Sequence, residues 1–176
     1  MSATETFKFM HFTLRPAGVI ATDQVLARDW TFADPDHCGR VRPSFWVEQD
    51  FGKDSYLLFD REGPVFFWKG ILLVEPRRVE MHIQFPPMPK NLHEKLQRLM
   101  RTRAGLIHGL AWLEGLLSKA SVEEIYFDSL SRPLIAFATK RLGFVQEGQR
   151  ISKRLLPLPE CQQAYTNETK AQERRV

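Results

Sequence analysis

Three polar side chains alternate with four apolar ones in the run Val79-Glu80-Met81-His82-Ile83-Gln84-Phe85. Successive side chains of an extended chain point to opposite faces, so Glu80, His82 and Gln84 share one face and Val79, Met81, Ile83 and Phe85 the other. A polar trio on one side of a strand either meets solvent or lines a cleft. In a cleft, Glu80 or His82 suits the role of general base, because each accepts a proton near neutral pH once its surroundings tune it. His37 and Cys38 also pair a base with a nucleophile, but sequence neighbours rarely face each other, so no catalytic dyad is expected there. Cys38 and Cys161 are too few and too far apart for a disulfide framework. No CxxC or HxxxH spacing offers a zinc site.

The elements that would position this strand are legible from periodicity and breakers. Phe7 to Leu14 alternates as a strand with Met10, Phe12 and Leu14 on one side, and Pro16, Ala17 and Gly18 break it. Thr22 is placed to cap a helix from Asp23 to Trp30, with Asp23 at the positive end of the helix dipole. Asp34 to Arg42 carries loop chemistry in Pro35, Asp36 and Gly39. Ser55–Phe59 and Val65–Val74 flank the turn residues Asp60 to Pro64 and form a hairpin, which Val79 to Phe85 extends to three antiparallel strands. Pro86, Pro87 and Pro89 stop sheet pairing.

Leucines spaced by three or four from Leu92 to Leu117 predict a long helix, with Gly105 and Gly109 as weak points; either one unbroken helix or two, parted near Arg101 to Gly105, fits the pattern. Glu124 to Asp128 reads as a short buried strand. A helix opens at Ser131 or Arg132 with Pro133 in its first turn, and Gly143 stops it in a left-handed cap. Phe144–Val145 and Gln149–Leu156 form a closing strand pair.

A chain of 176 residues fits one domain, here 1–158, followed by a polar tail over 159–176. No run approaches the ~18 apolar residues of a membrane helix, and Met1 to Thr6 lacks the basic-then-apolar order of a signal peptide, so a cytoplasmic location without membrane contact is expected. The net charge of +4 is mild and the basic residues do not cluster with aromatic ones, so nucleic acid is not an expected partner.

The element order, with Arg132 to Phe144 as a terminal helix running into Leu142-Gly143-Phe144, resembles the GNAT superfamily of N-acetyltransferases over about Phe7 to Leu156. Glu80-Met81-His82-Ile83 is similar to that family's fourth strand. The resemblance implies one α/β domain with a mixed, mostly antiparallel central sheet flanked by helices. It also implies acyl transfer from acetyl-CoA or another acyl-CoA to a primary amine that the sequence does not name. Glu80 would then be the base and His82 its alternative, while Gln84 and Phe85 end the strand that borders the cofactor.

Members of the family hold the cofactor's diphosphate on a Q/R-x-x-G-x-G/A loop that opens a helix, its backbone N–H groups and the helix dipole facing the phosphates. The nearest match here is Arg101-Thr102-Arg103-Ala104-Gly105-Leu106, in which Arg101 and Arg103 suit phosphates. Ala104 replaces the first glycine and Leu106 the second small residue, and the segment lies late after Phe85. Thr139 stands where the family often has a tyrosine that protonates the leaving thiolate. Ser129 and Ser131 are the hydroxyls that could replace it, although hydroxyls there also cap helices. These departures keep a second reading open: a catalytically inactive domain of this fold that binds a protein partner or its own copy. The 13 Phe and 4 Trp are compatible with a sticky surface around Phe45, Trp46 and Phe51.

Overall fold

The computed structural model describes residues 6–50 and 53–155. Eight strands form one sheet in the order β1-β2-β3-β4-β5-β6-β8-β7. They are β1 (Phe7–Phe9), β2 (Phe12–Pro16), β3 (Lys53–Asp60), β4 (Gly63–Leu73), β5 (Arg78–Gln84), β6 (Glu124–Asp128), β7 (Val145–Glu147) and β8 (Arg150–Arg154). Three helices, α1 (Ala21–Ala33), α2 (Leu92–Lys119) and α3 (Arg132–Arg141), and a 3₁₀ turn at Pro43–Trp46 complete it. Every neighbouring pair is antiparallel except β5 and β6, which run parallel because α2 carries the chain back between them. The fold is thus the α/β arrangement expected, with a mostly antiparallel sheet flanked by helices.

Alternation along the strands divides the core. Tyr56, Leu58, Phe66, Trp68, Val79 and Met81 pack on the face covered by α2 and α3. Leu57 and Phe67, one residue out of phase, join Ala27 and Trp30 of α1 and Trp46 of the 3₁₀ turn on the opposite face. Trp46 is 1% exposed, so it belongs to this second core and not to a sticky surface; Phe51 lies outside the described residues.

The first strand departs from expectation. Phe9 pairs with Phe12, so Phe7 to Leu14 is a hairpin with Met10 and His11 at its tip, and Met10 takes a positive φ of 53°. Met10 is 77% exposed while Phe12 and Leu14 are buried, which separates the three residues expected on one side. Ile20, not Thr22, is the N-cap of α1, and it gives no side-chain hydrogen bond. Asp23 is instead fully buried, where Arg15 clamps both carboxylate oxygens at 2.6 Å and the Gly18 N–H donates at 2.9 Å.

Of the two forms open to the long helix, the unbroken one is present. α2 runs continuously from Leu92 to Lys119, and Gly105 is one of its buried residues. A Cβ built there would lie 2.8 Å from Leu58 Cδ2 and 3.0 Å from Phe66 Cε1, so the glycine lets the helix settle onto β3 and β4. Close packing outweighs glycine's weak helix propensity at this point. α3 matches the sequence reading: Ser131 caps it, Pro133 stands in the first turn, and Gly143 follows with φ of +76°. The closing pair is Val145–Glu147 with Arg150–Arg154: the first strand starts and ends later than expected, leaving Phe144 in the core, and the second is shorter; Leu156 and the 159–176 tail lie outside the described residues. No helix among the described residues is long and apolar enough to cross a membrane.

Candidate functional site

The parallel seam is short. β5 and β6 pair only at Arg78 with Glu124, Val79 with Ile125 and Glu80 with Tyr126. An Arg78–Glu124 ion pair of 2.9 Å marks its closed end. Beyond Glu80 the two strands part, since β6 continues on β8 and the rest of β5 stays on β4. On the α2 and α3 face, Met81, Ile83 and Phe127 border an apolar cavity of about 60 Å³, roofed by Leu110 and Leu134.

The opposite face carries the polar trio. Tyr126 Oη donates to Glu80 Oε2 at 3.0 Å. His82 Nε2 lies 2.9 Å from Glu80 Oε1, close enough for an ion pair but without the alignment of a hydrogen bond. Burial pulls the His82 imidazolium below the usual histidine range, against the attraction of Glu80, so the ring is neutral near pH 7. Burial, and then the hydrogen bond and charge of Glu80, push the Tyr126 phenol up, so it stays protonated and remains a donor. A neutral imidazole beside a carboxylate can accept a proton, because the carboxylate steadies the imidazolium that forms.

Gln84 does different work. It is fully buried; its amide donates to Asp34 Oδ2 and to the Phe85 carbonyl, each at 3.0 Å, and its oxygen faces His37 Nδ1 at 2.6 Å. It therefore ties the end of β5 to the loop after α1 and has no group left for a cofactor. Phe85 packs edge-on against Phe66 in the core. Cys38 is exposed, while His37 commits its Nδ1 to Gln84.

A second, open pocket of about 380 Å³ lies on this face, lined by His37, Arg40, Arg42, Trp46, Glu48 and His82 among others. Phe45 meets the His82 ring edge-on at 5.2 Å. Beneath Phe45, Lys69 is 2% exposed and donates to the carbonyls of Phe45 and Glu48 and to Ser55 Oγ, at 2.7, 3.0 and 2.9 Å. All three acceptors are uncharged. Burial lowers the Lys69 pKa, with Glu48, Asp50 and Asp54 opposing from longer range.

The residues expected to hold a diphosphate are engaged elsewhere. Arg101 forks onto Asp60 through two 2.7 Å bonds and donates to the Gly63 carbonyl at 3.0 Å. Burial disfavours the Asp60 carboxylate, but the Arg101 hydrogen bonds and the Glu62 N–H more than offset this and hold Asp60 below the usual range. The Arg103 guanidinium stands 5.3 Å from the Phe137 ring centre, bracing α2 on α3. Ala104 and Gly105 lie inside α2, where helix bonds occupy their N–H groups.

Nor does the true start of α2 offer a cradle. The link Phe85 to Asn91 contains three prolines, which have no N–H. Asn91 Oδ1 accepts from the His93 and Glu94 N–H groups at 2.8 and 3.3 Å, and the Glu94 carboxylate sits in the first turn. Among the described residues, neither the Arg101–Gly105 segment nor the start of α2 fits the diphosphate of coenzyme A. Thr139 donates to the Ile135 carbonyl at 2.9 Å, and Ser129 Oγ accepts from the Ser131 N–H at 3.1 Å, so both hydroxyls serve α3.

Sequence reasoning named Glu80 and His82 but missed Tyr126. The signal was present, because a parallel pairing of the two strands puts Tyr126 beside Glu80. Its apolar neighbours Ile125 and Phe127 made it read as core.

No protein-family model matches the chain. No curated protein matches it either. Among solved structures, an aminoglycoside 6'-acetyltransferase type Ii superimposes with a TM-score of 0.56 at 16% identity, over 83% of this chain and 99% of that one. The ribosomal-protein-S18-alanine N-acetyltransferase from Escherichia coli gives 0.53 at 14%, covering 85% and 97%. An aminoglycoside 6'-N-acetyltransferase complexed with coenzyme A gives 0.51 at 12%, covering 83% and 98%. The chain has the fold of the GNAT N-acetyltransferases.

Proposed function

We propose that the protein transfers an acyl group to a primary amine, with Glu80 and His82 as its proton-handling pair. The observation that supports this most is the 2.9 Å approach of His82 to Glu80 where β5 leaves β6, with His82 on the wall of the open pocket. A neutral His82 takes the proton of the attacking amine. Glu80, steadied by Tyr126, stabilises the charge that results. The amine attacks the acyl carbonyl directly, without a covalent enzyme intermediate; as the C–N bond forms the C–S bond breaks, and the proton taken up by His82 passes to the departing thiolate, which leaves as a thiol.

The solved acetyltransferases of this fold, one of them bound to coenzyme A, make an acyl thioester the natural donor class. Because neither the Arg101–Gly105 segment nor the start of α2 offers a diphosphate cradle, the donor would be held chiefly by its acyl and pantetheine portion. Incubation with acetyl-CoA and a panel of primary amines tests the proposal. Turnover that falls by ~10²–10⁴-fold in His82→Gln, with folding unchanged, is expected. Absence of turnover with every amine and thioester would discard it.

A second reading has its own support: the prolines and the occupied cap at the start of α2 suit a non-catalytic binding module of this fold. That reading requires no heat and no thermal shift with acetyl-CoA, and no loss of any function in His82→Gln.

A further inference from the structure

We propose that the open pocket beside His82 binds the acidic group, a carboxylate or a phosphate, of the amine that accepts the acyl group. This deepens the acyl-transfer reading and rests on it for the identity of the ligand as an amine. Three independent observations lead there. Arg40 and Arg42 both line the pocket and have exposed side chains, and neither forms an ion pair or side-chain hydrogen bond among the described residues. Trp46 lines it too, and its indole N–H has no hydrogen-bond partner among those residues although Trp46 is 1% exposed. A buried N–H without a partner is disfavoured, and a ligand oxygen would satisfy it once the pocket wall gives way to admit one, because the nitrogen itself is covered here. Below the floor, Lys69 adds a buried positive charge whose hydrogen-bond acceptors are all neutral.

Glu48 is the acidic side chain on the lining, and against it the two guanidinium groups leave one positive charge in excess. Guanidinium groups match the planar, two-oxygen geometry of carboxylate and phosphate alike. An amine whose acidic group rests on Arg40, Arg42 and the Trp46 N–H would find the His82 imidazole in the same pocket, ready to take its proton.

The test reads binding directly on the full chain, without turnover. Four tryptophans give four indole N–H signals in a proton–nitrogen correlation spectrum. The Trp46 signal is identified by its loss in Trp46→Phe or, if that variant does not fold, by its proximity to the His37 ring, 5.4 Å away. Titration with phosphoethanolamine or with β-alanine should move that signal saturably, and ethanolamine should leave it in place. A response to only one of the two acids names the anion. Arg40→Ala and Arg42→Ala should each weaken binding about tenfold or more, as for a lost charged hydrogen bond. An equal response to ethanolamine, or no saturable response to either acid at millimolar concentration, overturns the proposal. Saturable binding without turnover would leave the anion site standing and remove the acyl-transfer reading. Turnover of ethanolamine as efficient as that of β-alanine would do the reverse.

Discussion

Arg101 changes meaning between the sequence and the fold, from a phosphate ligand to a structural clamp. Its fork onto Asp60 joins α2 to the β3–β4 turn, with the Asp60 side chain only 5% exposed. Arg101→Ala strands that carboxylate, and a loss of about 3 kcal/mol is expected, the lower end for breaking a buried pair. Chemical denaturation should show that loss, while calorimetry with acetyl-CoA should show no difference between Arg101→Ala and the parent. The pair also carries a pH signature. Asp60 titrates below its unfolded value of 3.8, so its contribution is present above that pH and disappears as pH falls through the lower, folded value. Asp60→Asn should flatten the stability profile in that acid window and leave the profile above pH 5 parallel to that of the parent. On the other side of the sheet, Glu80→Gln should reduce turnover less than His82→Gln, because it removes a stabiliser and leaves the proton acceptor. If Glu80→Gln proved the more damaging, Glu80 would be the base.

At the scale of elements, glycines in one helix behave oppositely. Gly105→Ala adds a methyl that meets Leu58 and Phe66, and overpacking of ~1–3 kcal/mol outweighs the ~1 kcal/mol gained in helix propensity. Gly115 in the same helix has nothing within 4 Å of a built Cβ, so Gly115→Ala should stabilise by that ~1 kcal/mol. Thermal melting should separate the two by roughly 2–4 °C per kcal/mol, in opposite directions. This contrast explains why the sequence leaves the continuity of the helix open: propensity is local, whereas the approach of Gly105 to β3 and β4 depends on residues some forty positions earlier. Features decided locally were legible. The Asp60–Gly63 turn, the β6 strand and the Ser131 and Gly143 ends of α3 all follow from neighbouring residues. The Met10 turn escaped because alternation read straight through a two-residue hairpin tip. Within the site, the shared face of Glu80, His82 and Gln84 was legible from the period of a strand. Gln84's partners, 47 and 50 residues away, were not.

For the whole molecule, the missing cradle makes a claim about the donor. Two charged hydrogen bonds to a diphosphate, at ~1.5–3 kcal/mol each, would favour acetyl-CoA over acetyl-pantetheine by ~10²-fold or more. Here the two donors should be used with kcat/KM values within about threefold of each other, since neither presents phosphates to a partner. A hundredfold preference for acetyl-CoA would mean that some other part of the chain holds the nucleotide. The β5–β6 join carries a mechanical consequence as well. Three register pairs connect a five-stranded plate, β1 to β5, with a three-stranded plate, β6, β8 and β7, against seven pairs between β4 and β5. Along the sheet this is the narrowest join, and the core shared under α2 and α3 spans it. The apolar cavity and the polar pocket lie on opposite faces of β5, so both sit beside this join. Amide hydrogen exchange should find the Glu80–Tyr126 end of the join opening well before the β4–β5 ladder, and whatever fills the cavity on one face should slow exchange at that end.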